Sequence, residues 1–364
     1  MKPKFILSKK IVLEKYAKAR ELADIVSYSS KTNPIVTEIL EDETYSMFGV
    51  HSISELKNIK DKSRIIFLAQ GWNGGEINFL IEKGIIFFVV DNIQDLETLK
   101  SFMINLKEHS LVHPELRKEG AKINLFLRLK LKENTLKTEK HFVFGFGSEY
   151  INKEILELKK LNFVEGIGIH FHRKTQNMAE WNLKKEIENV LDLGVLKKID
   201  YLIMGGGLPS IYANTNVKVF EGIYSKIEEF REWLNSFGIR VINEPGRFIS
   251  APAVKLETNI RAIYENNIVV DASVYNSDLD ALVVPVKLLV EGELLAPKGV
   301  LPKGNEGEAY VIKGITPCSM DLFRYRVYLK NPVVGDKLIF LNAGAYNFSS
   351  EFCDLEKIET LVVD

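Results

Sequence analysis

The chain has 364 residues, 46% of them hydrophobic, which is enough to bury a large core and more than one βα barrel of ~250 residues needs, so a second, smaller domain is expected. Lys plus Arg (48) nearly equals Asp plus Glu (49), and a net charge of −1 excludes a global field that would draw nucleic acid or an anionic membrane; a small-molecule partner is expected instead. The start, Met1-Lys-Pro-Lys-Phe-Ile-Leu-Ser, is too polar for a signal peptide, no run approaches ~18 apolar residues, and two cysteines (Cys318, Cys353) exclude a disulfide framework, so a cytoplasmic location is expected.

In chain order, short strand-like runs at Lys4–Leu7 and Ile11–Leu13 come first. Continuous apolar runs follow at 24–29, 46–50, 64–70, 84–91, 122–130, 164–171, 200–205 and 239–244, the texture of parallel strands buried on both faces. Amphipathic segments lie between them, among them Gly75–Lys83, Ile93–Leu106, Met178–Leu193 and Val219–Phe237. Eightfold alternation of this kind predicts a closed (β/α)8 TIM barrel over residues 15–249. Beyond Arg247, short runs at Ser250–Thr258, Ile268–Val274, Ala281–Leu289, Tyr310–Ile312, Arg324–Tyr328 and Lys337–Leu341 are separated by Gly, Pro and Asn and predict an all-β domain, a β-barrel or sandwich. That domain is expected to comprise residues 1–14 and 250–364, with the N-terminal strand pairing into it.

The chemistry sits at the ends of the barrel strands. Ser27-Tyr-Ser-Ser-Lys31-Thr-Asn33-Pro puts an amine at the mouth just before a helix start. A lysine there can form a Schiff base with an aldehyde, partial burial favouring its nucleophilic form; the competing reading is one more solvated lysine. His170 and His172, two apart on the sixth strand, share a face and suit ring stacking, a metal pair or core packing. Gly205-Gly-Gly207 ends the seventh strand, where backbone N–H groups can approach a phosphate without Cβ obstruction. Glu244-Pro-Gly-Arg247 closes the eighth with a carboxylate, a glycine and a fork-shaped cation. An amine, a stacking imidazole, phosphate-binding glycines and one buried acid together match the needs of pyridoxal 5'-phosphate. No completed metal cluster accompanies the histidine pair, so no metal is expected.

These segments resemble, over nearly the whole chain, the fold-type III pyridoxal-phosphate decarboxylases, the group of ornithine, arginine, diaminopimelate and carboxynorspermidine decarboxylases. Tyr28-Ser-Ser-Lys31-Thr-Asn33 is similar to their cofactor-lysine segment, Phe48-Gly-Val-His-Ser-Ile-Ser-Glu55 to the second-strand segment, Leu127-Arg128-Leu to the fifth-strand arginine, and His170-Phe-His172 to their His-Phe-His-Val-Gly-Ser stretch. Thr316-Pro-Cys318-Ser-Met-Asp321 resembles their cysteine loop, and Asn342-Ala-Gly-Ala-Tyr346 their Gly-Ala-Tyr. The resemblance implies decarboxylation of an amino acid to an amine and CO2. Lys31 would carry the cofactor, His172 would stack on its ring, and Glu244 would hold the ring nitrogen. Gly206, Gly207, Gly246, Arg247 and Tyr346 would grip the phosphate, with Arg128 supporting Lys31. Cys318 would help protonate the product, and because that cysteine serves the neighbouring subunit in this family, a homodimer with shared sites is implied.

The departures bear on the substrate. His172 is followed by Arg173-Lys174-Thr175 where the relatives have Val-Gly-Ser; Thr175 keeps a hydroxyl for the cofactor, and Arg173 either lies on the surface or reads an acidic group. Ser319 follows Cys318 where relatives carry an acid, leaving Asp321 as the nearby substitute, and Tyr275 is the nearest aromatic where diaminopimelate enzymes bind a distal carboxylate. Arg173, Tyr275, Ser319 and Asp321 are therefore the candidate substrate contacts, and the side chain recognised stays open. A racemase on the same barrel, a metal-dependent hydrolase using His170 and His172, and a catalytically altered cofactor-binding paralogue are the alternatives.

Overall fold

A computed structural model describes residues 2–106, 121–131, 144–284, 286–294, 307–347 and 350–364. The chain divides into two compact units: Tyr16–Pro209 with Lys218–Gly246, and Met1–Lys15 with Ser210–Val217 and Arg247–Asp364.

After an N-terminal strand, β1 (Lys4–Ser8), the eight strands β2 (Ile25–Ser29), β3 (Met47–Val50), β4 (Ile65–Leu68), β5 (Phe87–Val90), β6 (Ile123–Arg128), β7 (Val164–His172), β8 (Tyr201–Gly205) and β9 (Arg240–Glu244) form a closed parallel barrel. Each pairs with the next, and β2 pairs with β9 to complete the ring. All eight fall on the apolar runs noted above, because strands covered on both faces leave little room for polar residues. The connecting helices start where side-chain acceptors meet free N–H groups. Asn33 accepts from Ile35 N–H ahead of Pro34, and Asn73 with Glu76 forms a reciprocal capping box on helix Gly74–Glu82. Where one helix was expected over Met178–Leu193, the structure has two, Leu183–Val190 and Leu193–Leu196, divided at Leu191 and Asp192, which are both extended. Among the described residues no helix is long and apolar enough to cross a membrane.

The other unit holds β10 (Val254–Tyr264), β11 (Asn267–Val270), β12 (Leu289–Val290), β13 (Glu308–Lys313), β14 (Leu322–Leu329), β15 (Lys337–Leu341) and β16 (Glu359–Val363). Their sheet order is β12-β15-β10-β11-β13-β14, and β1 lies antiparallel to β10 and parallel to β16. The N-terminal strand thus pairs as expected, but three expectations fail here. Ile11–Leu13 belongs to a helix, Lys9–Glu21, whose buried Val12 and Ala19 lie seven apart on one face. Ser250–Thr258 begins as a helix, Arg247–Ala253, before the strand starts at Val254. Ala281–Leu289 is a helical turn, Asp280–Val283, and only Leu289 and Val290 pair as a strand. Strand β16 had no counterpart in the sequence reading.

Candidate active site

The barrel interior is built in layers by strand alternation. Ile66, Val89, Phe126, Ile203 and Ile242 form a fully buried cluster, with Ile25, Met47, Leu68, Phe87 and Tyr201 packed against it. Strand β7 contributes Gly168 to this layer, and a Cβ there would stand 2.7 Å from the Phe126 ring and 2.6 Å from the Tyr201 carbonyl. Glycine at that position is what lets the phenyl ring fill the barrel.

Two residues further along each strand, toward the C-terminal mouth, the same inward face turns polar. Val89 leads to Asp91, Phe126 to Arg128, Gly168 to His170 and His172, Ile203 to Gly205, and Ile242 to Glu244. Apolar filling thus stops one step below the mouth, and a polar floor begins.

At its centre His170 Nε2 lies 3.0 Å from Glu244 Oε2, both residues buried. Desolvation pushes the His170 pKa down, so the imidazole is neutral and donates Nε2–H to a carboxylate that can only accept. Burial is the largest single influence and opposes charge on Glu244, but the His170 hydrogen bond together with the fields of His170, His51 and His172 outweighs it and holds the carboxyl below its ordinary range. Glycines clear the space around the pair. A Cβ at Gly205 would approach His170 Nε2 to 2.8 Å, and one at Gly49 would approach Glu244 Oε1 to 3.3 Å. Gly206 and Gly207 carry positive φ of 61° and 86°, and a Cβ at 206 would fall 2.6 Å from His172 Nε2. The left-handed glycine pair therefore seats the His172 ring directly against a turn rich in backbone donors.

His172 offers an open face to the mouth, yet the protein around it desolvates the ring, and Arg128, His170 and Lys31 add positive charge. Together they push its pKa down to about 3. Lys31 stands in the single turn Ser30–Thr32 that follows β2. Desolvation lowers its pKa, Glu55 and Glu244 pull the other way, and Arg128 disfavours the ammonium again. The amine at 31, the acid at 244 and the arginine at 128 thus sense one another across the floor.

Two members of this layer, Gln70 and Asp91, escaped the sequence reading. Gln70 Nε2 donates to Asp91 Oδ2 at 2.5 Å, and Arg128 Nη1 lies 3.7 Å from the same oxygen; the Asp91 side chain is only 1% exposed. The signal was available, since Asp91 is an acid two residues past the buried Val89 at a strand end. His51 and Glu55 were quoted only as part of a segment. His51 N–H donates to Glu55 Oε1 at 3.2 Å.

Several expected residues are placed elsewhere. Arg173 neither lies on the surface nor faces the mouth: its guanidinium is fully buried and paired with Glu186 of the helix Leu183–Val190, because Arg173 alternates out of the barrel relative to His172. Lys174 pairs with Glu180 at 3.0 Å, and Thr175 is exposed. Gly246 packs so closely on Thr32 that a Cβ would overlap its hydroxyl.

In the other unit, Arg247 gives its terminal nitrogens to Asp280 and, at 2.9 Å, to the Tyr212 hydroxyl, while Tyr346 lies with its ring 5.5 Å from the guanidinium. A buried carboxylate thus engages the guanidinium that was expected at the phosphate. Tyr346 has φ of 57°, a strained backbone held in a tight turn. Asp321, expected at the substrate, is 1% exposed and accepts from Val274 N–H, Thr316 N–H and Thr316 Oγ1 at 2.9, 2.9 and 2.7 Å, which makes it a loop anchor. Ser319 is exposed, and Tyr275 turns its hydroxyl to Cys318 Sγ at 3.1 Å.

Residues 10–251 match the family model described as pyridoxal-dependent decarboxylase, pyridoxal binding domain. A diaminopimelate decarboxylase of Helicobacter pylori is 26% identical over 303 residues, covering 79% of this chain and 69% of that protein. The crystal structure of the Helicobacter pylori diaminopimelate decarboxylase complexed with L-lysine superposes with a TM-score of 0.78 at 22% identity, covering 100% of this chain and 92% of that one. The lysine/ornithine decarboxylase of Vibrio vulnificus complexed with cadaverine gives 0.74 at 20% identity, covering 100% and 94%.

Proposed function

Because the chain belongs to the pyridoxal-dependent decarboxylases, and is a pyridoxal-phosphate-dependent carboxy-lyase acting on an amino acid, we propose how its own residues divide that work. The observation that carries the assignment is the buried Glu244–His170 pair, cleared by Gly49 and Gly205 and lying in the field of Lys31.

The donor set fits the cofactor. Lys31 supplies an amine whose pKa desolvation lowers, Glu244 a fixed acceptor for a ring N–H, and the left-handed Gly206–Gly207 turn a backbone shaped to cradle an anion. When bound, pyridoxal phosphate supplies the electron sink that lets a carboxylate leave as CO2. Lys31 would hold the cofactor, and Glu244 would keep a proton on the ring nitrogen by staying anionic, with His170 fixing the carboxylate's orientation. His172, neutral at physiological pH, would lie flat on the ring without adding a competing positive charge. Arg128, anchored by Asp91, would position the floor beside Lys31. Cys318 would return a proton to the substrate carbon, serving the neighbouring subunit's site in a cytoplasmic homodimer.

Arg173 and Asp321 are both buried and engaged within the protein, and the substrate's side chain is left to experiment. The assay is CO2 release with basic, acidic and carboxy-polyamine substrates, with chiral analysis of any amino acid returned. Borohydride reduction followed by peptide mass spectrometry should place a pyridoxyl group on Lys31. Lys31→Ala should lose that adduct and all turnover; an adduct on another lysine would overturn the assignment, and the mirror-image amino acid without CO2 would make the protein a racemase.

A further inference from the structure

Cys318 sits in a loop whose shape is set by one buried acid. Asp321 accepts from Thr316 N–H and Oγ1 on the near side of the loop and from Val274 N–H across it, and a Cβ on Gly314 would overlap the Asp321 carboxylate. Val274 opens the short helix Val274–Ser277, itself fixed by a capping box of Ser273 and Asn276. The same carboxylate therefore holds both the cysteine loop and the first turn of that helix, and the helix's next residue is Tyr275.

The tyrosine is held from a second side. Its ring packs on Phe352 with centroids 4.1 Å apart, and its carbonyl accepts from Ser350 N–H at 2.8 Å. With ring and backbone both engaged, the hydroxyl ends 3.1 Å from Cys318 Sγ, well inside the range for a hydrogen bond to sulfur. Nothing in this arrangement is needed to hold the loop, because Asp321 already does so. The contact has a consequence for the thiol alone.

We propose that Tyr275 is a positioning residue for Cys318: its phenol O–H donates to Sγ, aims the thiol, and stabilises the sulfur anion left when the thiol gives up its proton.

The direction of the bond follows from the acidities. The Tyr275 hydroxyl is pushed up to about 12, first by this hydrogen bond and then by desolvation, with Cys318, Asp321 and Cys353 adding negative charge nearby, so it stays protonated and can only donate when the sulfur is an anion. Cys318 is lowered, chiefly by Tyr275 and next by Met320 N–H; desolvation and the Asp321 carboxylate oppose this, and Asp321 N–H assists it. In the transfer the S–H bond breaks as a C–H bond forms at the substrate carbon, and the electron pair stays on sulfur, where the phenol O–H and the Met320 N–H meet it. This role of the thiol rests on the decarboxylase reading; the acidity of the thiol does not.

The test uses the full-length protein with Cys353→Ser, which leaves Cys318 as the single thiol. The rate of iodoacetamide alkylation is followed from pH 6 to 10 in that background and with Tyr275→Phe added, a change that keeps the ring on Phe352. Loss of one hydrogen bond to a charged acceptor should slow alkylation at neutral pH by about tenfold and move the profile to higher pH. Tyr45→Phe, on a ring that is 99% exposed, should change nothing. Should Tyr275→Phe fail to fold, Phe352→Leu decides: it unseats the ring, keeps the phenol, and should move the profile the same way by less. A profile that superimposes on the parent's in a folded variant overturns the proposal. A shifted profile in a protein that releases no CO2 from any substrate would instead leave the pair standing and sink the decarboxylase reading.

Discussion

Replacing Gly205 by alanine tests the floor of the site most directly. Gly205 lies in β8 outside the left-handed region, so alanine brings no backbone strain, and all the cost comes from the added methyl group. That Cβ would stand 2.8 Å from His170 Nε2, 2.9 Å from the Phe171 carbonyl and 3.2 Å from Glu244 Oε2, against the ~3.5–4.0 Å at which non-bonded heavy atoms attract. The Phe171 carbonyl belongs to β7, which is laddered to β8, so the imidazole is the group that yields and its bond to Glu244 lengthens or breaks. Overpacking costs about 1–3 kcal/mol and a lost hydrogen bond to a charged acceptor about 1.5–3 kcal/mol. Since relief of one worsens the other, about 3 kcal/mol is expected in total. At roughly 2–4 °C per kcal/mol for a unit of this size, the apoprotein should melt about 6–12 °C lower by calorimetry. Cofactor affinity, read by absorbance titration, should fall with it because Glu244 loses its orienting partner. Gly194→Ala, where an added Cβ meets nothing within 4 Å, is the control. A Gly205→Ala protein that melts within about 1 °C of the parent and binds cofactor equally well would refute the packing account of this floor.

Other outcomes follow from the charges. Asp280→Ala strands the buried Arg247 guanidinium and should cost about 3–5 kcal/mol by urea denaturation; a loss under about 1 kcal/mol would mean the pair is solvated in solution. Asp278 is fully buried, and desolvation followed by the Asp280 charge raises its pKa well above the ordinary range, against the opposing Arg247 charge and the Ala281 N–H. A carboxyl raised on folding is least costly below its unfolded pKa and drains stability as pH climbs. The stability advantage of Asp278→Asn over the parent should accordingly widen from pH 5 to pH 8, and a pH-independent difference would contradict it. His172, pushed down to about 3, should be neutral at pH 5 by 15N NMR when an ordinary histidine is mostly cationic. Its folded pKa lies below the unfolded ~6.5, so its contribution to stability is intact above that value and is lost as pH falls toward 3. A His172 titration midpoint near 6.5 would contradict the desolvation of the ring.

The barrel and the core of its site could be read from one dimension because both rest on local regularities. Strands covered on two faces must be apolar throughout, so eight runs announced eight strands, and a strand's period of two put His170, His172 and Glu244 on the inward face. Glycine at 205–207 was legible for a related reason, since only glycine tolerates the close approach and positive φ found there. What folding alone could settle was the partner of each polar group. Gln70 and Asp91 stand in the sequence only as the last residues of two apolar runs, and it is alternation across β4, β5 and β6 that gathers them with Arg128. Arg173 could have been a surface charge or a substrate contact, and only the packing of Leu183–Val190 supplied Glu186 and took it inside. Ile11–Leu13 is short enough to suit either a strand or a helix, and burial of Val12 and Ala19 on one face decided for the helix. Asp321 and Tyr275 are 46 residues apart, and no periodicity connects residues so distant; the sheet that brings their segments together made one a loop anchor and aimed the other at Cys318.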